Sequence, residues 1–405
     1  MILLAILLPF GSFLFLGVSV WVFMKEVLTV HVYPAITHPV RIHMMHYLFE
    51  LVITWGNLLE KMKICSMPKF FRFVQDRVVS KKNPGVLVED LRFGTIPVRL
   101  FQPKAASCIP RRGIIFYHGG GCAFGGLDCY HNICSFLARE TDSVLLSVGY
   151  RKLPDHHHPV AFRDCLSASI HFLKTLNTYG VDPSRVVVCG ESVGAGAVAM
   201  VSQVLLGRQD LPQLRAQVLI YPALQLINFQ LPSYRQNQDV PFLSRKFLMT
   251  LVCKNLAIDL SWQDTMLKGS CIHPDAWKKY RKWLSSDNIP QRFRRQESQP
   301  QFPAPFNEAA YLETKHVLDA ELSPLLADDK TIAQLPEAFL VSCEHDVLRD
   351  DVLLYKKRLE DQGVPVTWHH VEDGFHGCIL LFDKIFSFPC AREVMDSTVS
   401  YIKGI

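Results

Sequence analysis

From residue 86 onward, short apolar runs bounded by turn residues alternate with segments long enough to be helices. The runs are Ile114–Tyr117, Val144–Ser147, Val186–Cys189, Val218–Tyr221, Phe339–Cys343 and Val364–Val371, and segments such as Ala161–Leu176 and Ala195–Leu206 lie between them. A strand apolar on both sides needs cover on both sides, and helix-length crossovers join parallel neighbours. The pattern predicts an α/β domain over 86–405 with a mostly parallel central sheet and helices on both faces. At 405 residues, 49% hydrophobic and 20% charged, the chain can bury such a core, which excludes a disordered class. Its net charge of +5 comes without a long basic block, so nucleic acid is not an expected partner.

Two regions depart from this rhythm. Residues 225–320 are rich in Gln, Arg, Lys, Trp and Pro, and a structureless loop of that length does not suit a compact domain. They read as a partly helical cap insertion over one end of the sheet. Its basic run (Arg281, Lys282, Arg292, Arg294, Arg295) reads as a solvated face.

The second region is N-terminal. Met1 to Met24 contain no charged side chain. As a helix they would span about 36 Å, enough for a hydrocarbon core of roughly 30 Å. A cleaved signal peptide fits less well: no Lys or Arg precedes the run, and it ends on the bulky Val20, Trp21, Val22 and Phe23. The expectation is a transmembrane signal anchor at 1–24 and a helical, amphipathic cap or linker at 25–85. Lys25 and Glu26 nearly cancel, so flanking charge does not set the orientation.

The chemistry concentrates in two glycine motifs. Gly190-Glu191-Ser192-Val193-Gly194 reads G-x-S-x-G between the run Val186–Cys189 and a helix-compatible stretch. That strand–turn–helix context is the one a nucleophile elbow requires. His118-Gly119-Gly120-Gly121 follows Ile114–Tyr117 and resembles the loop that stabilises a tetrahedral oxyanion with backbone N–H groups. The oxyanion set is therefore His118, Gly119, Gly120 and Val193, with Gly119, Gly120 and Val193 as the N–H donors.

A serine hydroxyl needs a base, and the base needs an orienting acid. In this fold the chain order is Ser, acid, His. Asp346 follows Phe339–Cys343 and His376 follows Val364–Val371, so the two sit on successive loops at one edge of the sheet. Asp346 competes with Glu344, Asp350 and Asp351, and His376 with His345, His369 and His370. The catalytic set reads Ser192, Asp346 and His376. No cofactor or metal is expected. Twelve scattered cysteines form no C-x-x-C pair, and His156-His157-His158 and Cys129, His131 and Cys134 read as turn and packing residues.

With these residues in place, the chain resembles the hormone-sensitive-lipase-type branch of the α/β-hydrolases, and within it the arylacetamide deacetylase group. The likeness extends to Tyr150-Arg151-Lys152-Leu153-Pro154-Asp155-His156, similar to the family's YRLAPEH segment. It also takes in Asp182-Pro183-Ser184-Arg185, Ser323-Pro324-Leu325-Leu326 and Asp346-Val347-Leu348-Arg349-Asp350-Asp351. The resemblance implies an α/β-hydrolase fold with a helical cap, and a serine esterase or deacetylase acting on small-molecule or lipid esters. It further implies single-pass type II anchoring in the endoplasmic reticulum with a lumenal catalytic domain. The alternative is a weak or silent hydrolase fold that binds a lipid or a partner. Departures from the family lie at the elbow, which usually reads GDSAGG: Glu191 adds a methylene and Val193 a β-branch. Cys122 stands where the family often has Trp, with the relatives' cysteine one position later, which raises a Cys122–Cys343 disulfide.

Overall fold

The computed structural model describes residues 2–30, 36–78, 81, 84–294, 301–382 and 387–405. Three helices come first: α1 (Ile2–Thr29), α2 (Pro39–Lys61) and α3 (Met67–Val78). The strands are β1 (Val86–Phe93), β2 (Ile96–Pro103), β3 (Arg111–Tyr117), β4 (Ser143–Val148), β5 (Val181–Glu191), β6 (Ala216–Ile220), β7 (Glu337–His345) and β8 (Val366–Phe375). Helices α4 (His131–Glu140), α5 (Val160–Lys174) and α6 (Val193–Val204) follow β3, β4 and β5. Between β6 and β7 lie α7 (Pro232–Gln236), α8 (Arg245–Leu256), α9 (Gln263–Leu267), α10 (Pro274–Leu284), α11 (Glu308–Thr314) and α12 (Asp329–Ile332). Helix α13 (Arg349–Asp361) follows β7, and α14 (Pro389–Gly404) closes the chain.

One sheet runs in the order β1-β2-β4-β3-β5-β6-β7-β8. Its pairs are parallel except β1 with β2 and β2 with β4. The strands alternate as their pleat demands. Ile115, Tyr117, Val186 and Val188 face α5, α6 and α13, while Ile114, Phe116, Val187 and Cys189 face α4 and α14. The expected parallel, doubly covered sheet is present. The antiparallel β1–β2 hairpin lies outside the expected strand runs: in β1 only Val86 and Phe93 are buried. Strand β6 stops one residue short of the expected Tyr221, whose φ of 34° leaves extended geometry.

The same alternation overturns the disulfide expectation. Cys122 packs with the α5–α6 face and Cys343 with the α4–α14 face, so the sheet separates them. All twelve cysteines are free.

The insertion is fastened to the loop after β7. The Asn237 side-chain amide donates to the Glu344 and Asp346 carbonyls, both at 2.9 Å, and the Ser233 hydroxyl donates to the Val347 carbonyl at 2.7 Å. Its basic run faces solvent and acidic neighbours: Lys282 lies 3.6 Å from Asp329 and Arg294 lies 3.8 Å from Asp287. Arg295 falls outside the described residues.

Helices α2 and α3 complete the cap through aromatic contacts. Phe49 meets Phe71, Phe242 and Phe247 edge-on at 5.5–5.8 Å, and Phe71 contacts Phe124 of the glycine loop at 4.4 Å. Helix α1 lies along α2, with Phe15 stacked on Trp55 and Lys25 paired to Glu50. The side chains of residues 1–12, half of the expected anchor, lie outside the described residues. Among the described residues no helix is long and apolar enough to cross a membrane.

Candidate active site

β5 ends at Glu191 and α6 begins at Val193, so Ser192 alone makes the turn, with φ 56° and ψ −124°. A non-glycine residue holds such a conformation only where its surroundings enforce it. Here the helix starts hard against the end of β3: a Cβ on Gly194 would lie 2.3 Å from the Tyr117 carbonyl oxygen. On the other side, the Ser192 N–H donates to the Ile220 carbonyl at 2.9 Å. Strand, helix and neighbouring sheet thus leave the hydroxyl at the carboxyl edge of the sheet.

The loops after β7 and β8 bring the other two groups to it. Ser192 Oγ lies 2.8 Å from His376 Nε2, and His376 Nδ1 lies 2.8 Å from Asp346 Oδ2. Asp346 is fully buried, and its Oδ1 accepts the Leu348 N–H at 2.8 Å. Burial opposes the imidazolium of His376, but the charge of Asp346 and its hydrogen bond outweigh it, so the His376 pKa is raised above 6.5. In this arrangement a serine can act as a nucleophile, a histidine as its base and a buried acid as the group that orients the base.

The rival residues have other partners. Glu344 pairs with Arg349 and His370, Asp350 accepts the Ser233 N–H, and Asp351 accepts from Leu224 and Gln225. His369 contacts Glu393 and His370 contacts Ser342. His345 is buried and is not part of the Ser192–His376 line.

The four residues expected at the oxyanion loop occupy different surroundings. The Gly119 N–H already donates to the Tyr130 hydroxyl at 3.1 Å, which in turn donates to Glu191 at 2.6 Å. Gly119 is therefore not an available donor. A Cβ there would also meet Glu191 Oε2 at 1.7 Å, so glycine is required for packing. His118 sits beneath the loop, fully buried, with Nδ1 2.7 Å from the Gly119 carbonyl, and supports the loop without facing the cavity. Gly120, Gly121 and Val193 line the cavity beside Ser192. Neither the Gly120 nor the Gly121 N–H is spent on a hydrogen bond among the described residues. Val193 is the first residue of α6, where N–H groups have no partner within the helix. Of the loop's three glycines, Gly120 and Gly121 are thus the two that reach the cavity. The methylene that Glu191 adds is used to reach Tyr130.

The cavity is about 390 Å³. Its walls include Leu48 and Phe49 of α2, Val74 of α3, Leu251 of α8, Phe242 and Leu348, with few polar residues among them: Ser192 and His376, Glu191 and Tyr130 beside them, and Gln75 and Asn255 from the cap. Such a chamber suits a mostly apolar ligand held by a few polar atoms. Among the described residues no group of three or more His, Cys, Asp or Glu is arranged to hold a metal ion. His157 of the histidine triplet lies with Nδ1 2.9 Å from the Lys254 carbonyl, and His131 lies with Nδ1 3.2 Å from Arg99.

Known proteins share both sequence and architecture. A family model described as alpha/beta hydrolase fold matches residues 114–268 and 271–380. Arylacetamide deacetylase-like 4 family member 1 of Mus musculus is 64% identical over 404 residues, covering 100% of this chain and 99% of its own. Arylacetamide deacetylase of Bos taurus is 37% identical over 328 residues, covering 79% of this chain and 81% of its own. The crystal structure of a thermostable esterase from Pseudomonas putida ECU1011 superposes with a TM-score of 0.64 over 92% of this chain and 98% of that one. At 21% identity it speaks for the fold. Sheet order, elbow and sequence agree: the chain belongs to the α/β-hydrolase family, among the arylacetamide deacetylase-like proteins.

Proposed function

We propose that the chain is a membrane-anchored carboxylic ester hydrolase that works by acyl transfer through Ser192. The observation that carries this reading is the line Ser192 Oγ–His376 Nε2 and His376 Nδ1–Asp346 Oδ2, each 2.8 Å, opening on an apolar cavity. His376 takes the Ser192 proton as Oγ attacks the ester carbonyl. The N–H groups of Gly120, Gly121 and Val193 receive the oxyanion. Asp346 holds the imidazole tautomer and stabilises the imidazolium. His376 then gives the proton to the leaving alcohol, and water repeats the sequence on the acyl-enzyme to release the acid.

The apolar walls favour neutral acyl or aryl groups. Together with the relatives' names, they make acetylated small molecules and neutral lipid esters the proposed substrates. Hydrolysis of p-nitrophenyl esters from acetyl to decanoyl tests this. Ser192-dependent turnover is expected on the short and medium esters, declining once the acyl chain outgrows the cavity. A folded protein that hydrolyses no member of the series contradicts it.

Residues 1–24 would hold the enzyme in the endoplasmic reticulum membrane as a single-pass type II protein with a lumenal catalytic domain. Supporting this are the absence of charge in the segment and the exposed apolar side chains of α1, with Phe13, Phe15, Leu16, Trp21 and Phe23 each more than half exposed. Deleting 1–24 is expected to shift the protein from the alkaline-carbonate membrane pellet to the soluble fraction. A truncated protein found wholly in the pellet contradicts the anchor.

A further inference from the structure

Behind the oxyanion loop lies a charge that the acyl-transfer scheme does not use. Lys152 stands where the family's YRLAPEH segment has leucine. Its ammonium is 3.2 Å from His118 Nε2 and 3.3 Å from the Gly125 carbonyl, and it lies 5.1 Å from the centre of the Tyr150 ring. An ammonium can only donate, so His118 Nε2 accepts and Nδ1 carries the ring proton. That proton is donated to the Gly119 carbonyl at 2.7 Å. Tyr150 holds the imidazole in place, stacked on it at 4.2 Å while donating to the His118 carbonyl at 2.7 Å.

The Gly119 carbonyl and the Gly120 N–H belong to one peptide group. Lys152, the His118 ring and that peptide therefore form a chain of donors running in one direction. It begins at a positive charge and ends at the Gly120 N–H on the cavity wall. Aligned hydrogen bonds polarise one another in a low-dielectric interior. Neither Lys152 nor His118 lines the cavity.

We propose that Lys152 is a positioning residue of the acyl-transfer reaction: through His118 and the Gly119–Gly120 peptide it orients and polarises the Gly120 N–H toward the transition-state oxyanion. The proposal rests on the reading of Ser192 as nucleophile. The groups facing the ammonium are Arg72 and Asp76 of α3, Cys122 and Cys129 of the flanking loops, Cys165 of α5, His118 and Tyr150. Burial lowers the Lys152 pKa to about 8, with Arg72 adding to the effect and Cys122, Asp76 and Cys129 opposing it. Burial, reinforced by Lys152, keeps the His118 pKa well below its ordinary value, so the ring stays a neutral relay. The support is thus present while Lys152 is charged and is lost as pH rises through about 8.

The test is kcat and KM for p-nitrophenyl butyrate across about pH 6 to about 10, on wild type, Lys152→Met and Lys152→Arg, with folding checked by circular dichroism. Lys152→Met is expected to lower kcat at neutral pH about tenfold, less than the 10²–10³ lost with a whole oxyanion donor, and to leave KM within about twofold. The alkaline fall of the wild type, near pH 8, should be absent from it. Lys152→Arg keeps its charge throughout and should hold kcat level beyond that pH. A Lys152→Met enzyme with wild-type kcat and an unchanged alkaline limb overturns the proposal. So does a limb that stays in place in Lys152→Arg, which decides the matter alone if the methionine variant does not fold. Absence of Ser192-dependent turnover in the wild type at every pH is a different failure, one that removes the nucleophile reading and the proposal together.

Discussion

Replacing Ser192 with alanine is expected to lower kcat for p-nitrophenyl esters by a factor on the order of 10⁶ while leaving the fold intact. The size follows from what is removed. Ser192 Oγ is the atom 2.8 Å from His376 Nε2, and among the described residues no other hydroxyl shares that contact. Alanine keeps the Cβ and leaves the loop geometry unchanged, because Gly194 and the Ser192 backbone, not the hydroxyl, set the turn. Residual rate over water, about 10³–10⁴, would come from the oxyanion donors and the apolar cavity alone. Steady-state kinetics on purified wild type and variant, with matched circular dichroism spectra, give the comparison. A variant within tenfold of wild type would remove Ser192 from the mechanism.

Asp346→Asn comes next in size, with kcat expected to fall by about 10⁴. The asparagine amide fits the same buried space, but it can present an N–H to His376 Nδ1, which favours the tautomer with the proton on Nε2. That nitrogen is then unable to accept from Ser192. The variant also carries a pH signature. A protonated His376 cannot act as base, so kcat/KM rises with pH through the His376 pKa. In the wild type that limb lies above 6.5, because Asp346 outweighs the burial that opposes the imidazolium. Without the carboxylate only the lowering effect of burial and the smaller pull of Glu191 remain, so the limb should move to lower pH. A rising limb that stays in place in Asp346→Asn would show that another group sets the basicity of His376.

Which parts of this site were legible before the fold was known follows from where their information resides. The elbow and the order Ser192, Asp346, His376 depend on residue type and on position at strand ends, and both survive in a linear pattern. The parallel sheet was equally legible, because its central strands are apolar on both faces. Which glycine N–H groups of the loop have partners was not. The Gly119 N–H is taken by Tyr130, eleven positions downstream and held by Glu191. That the cavity walls come from the N-terminal helices and the insertion was legible, but not which residues meet there. Phe49, Phe71, Phe124, Phe242 and Phe247 come from α2, α3, the glycine loop and the insertion, and they meet only in three dimensions. Alternation across the sheet likewise decides that Cys122 and Cys343 cannot bond, although both are buried cysteines near motifs.

The central claim is that Ser192 is an activated nucleophile, and covalent capture reports on it most directly. A fluorophosphonate probe reacts with a serine that a neighbouring base has activated. Incubated with the full-length protein and followed by peptide mass spectrometry, the probe is expected on Ser192 in the wild type and on no residue of Ser192→Ala. Labelling should also be strongly reduced in Asp346→Asn. A folded wild-type protein left unmodified at Ser192, or modified equally in Ser192→Ala, would contradict the account.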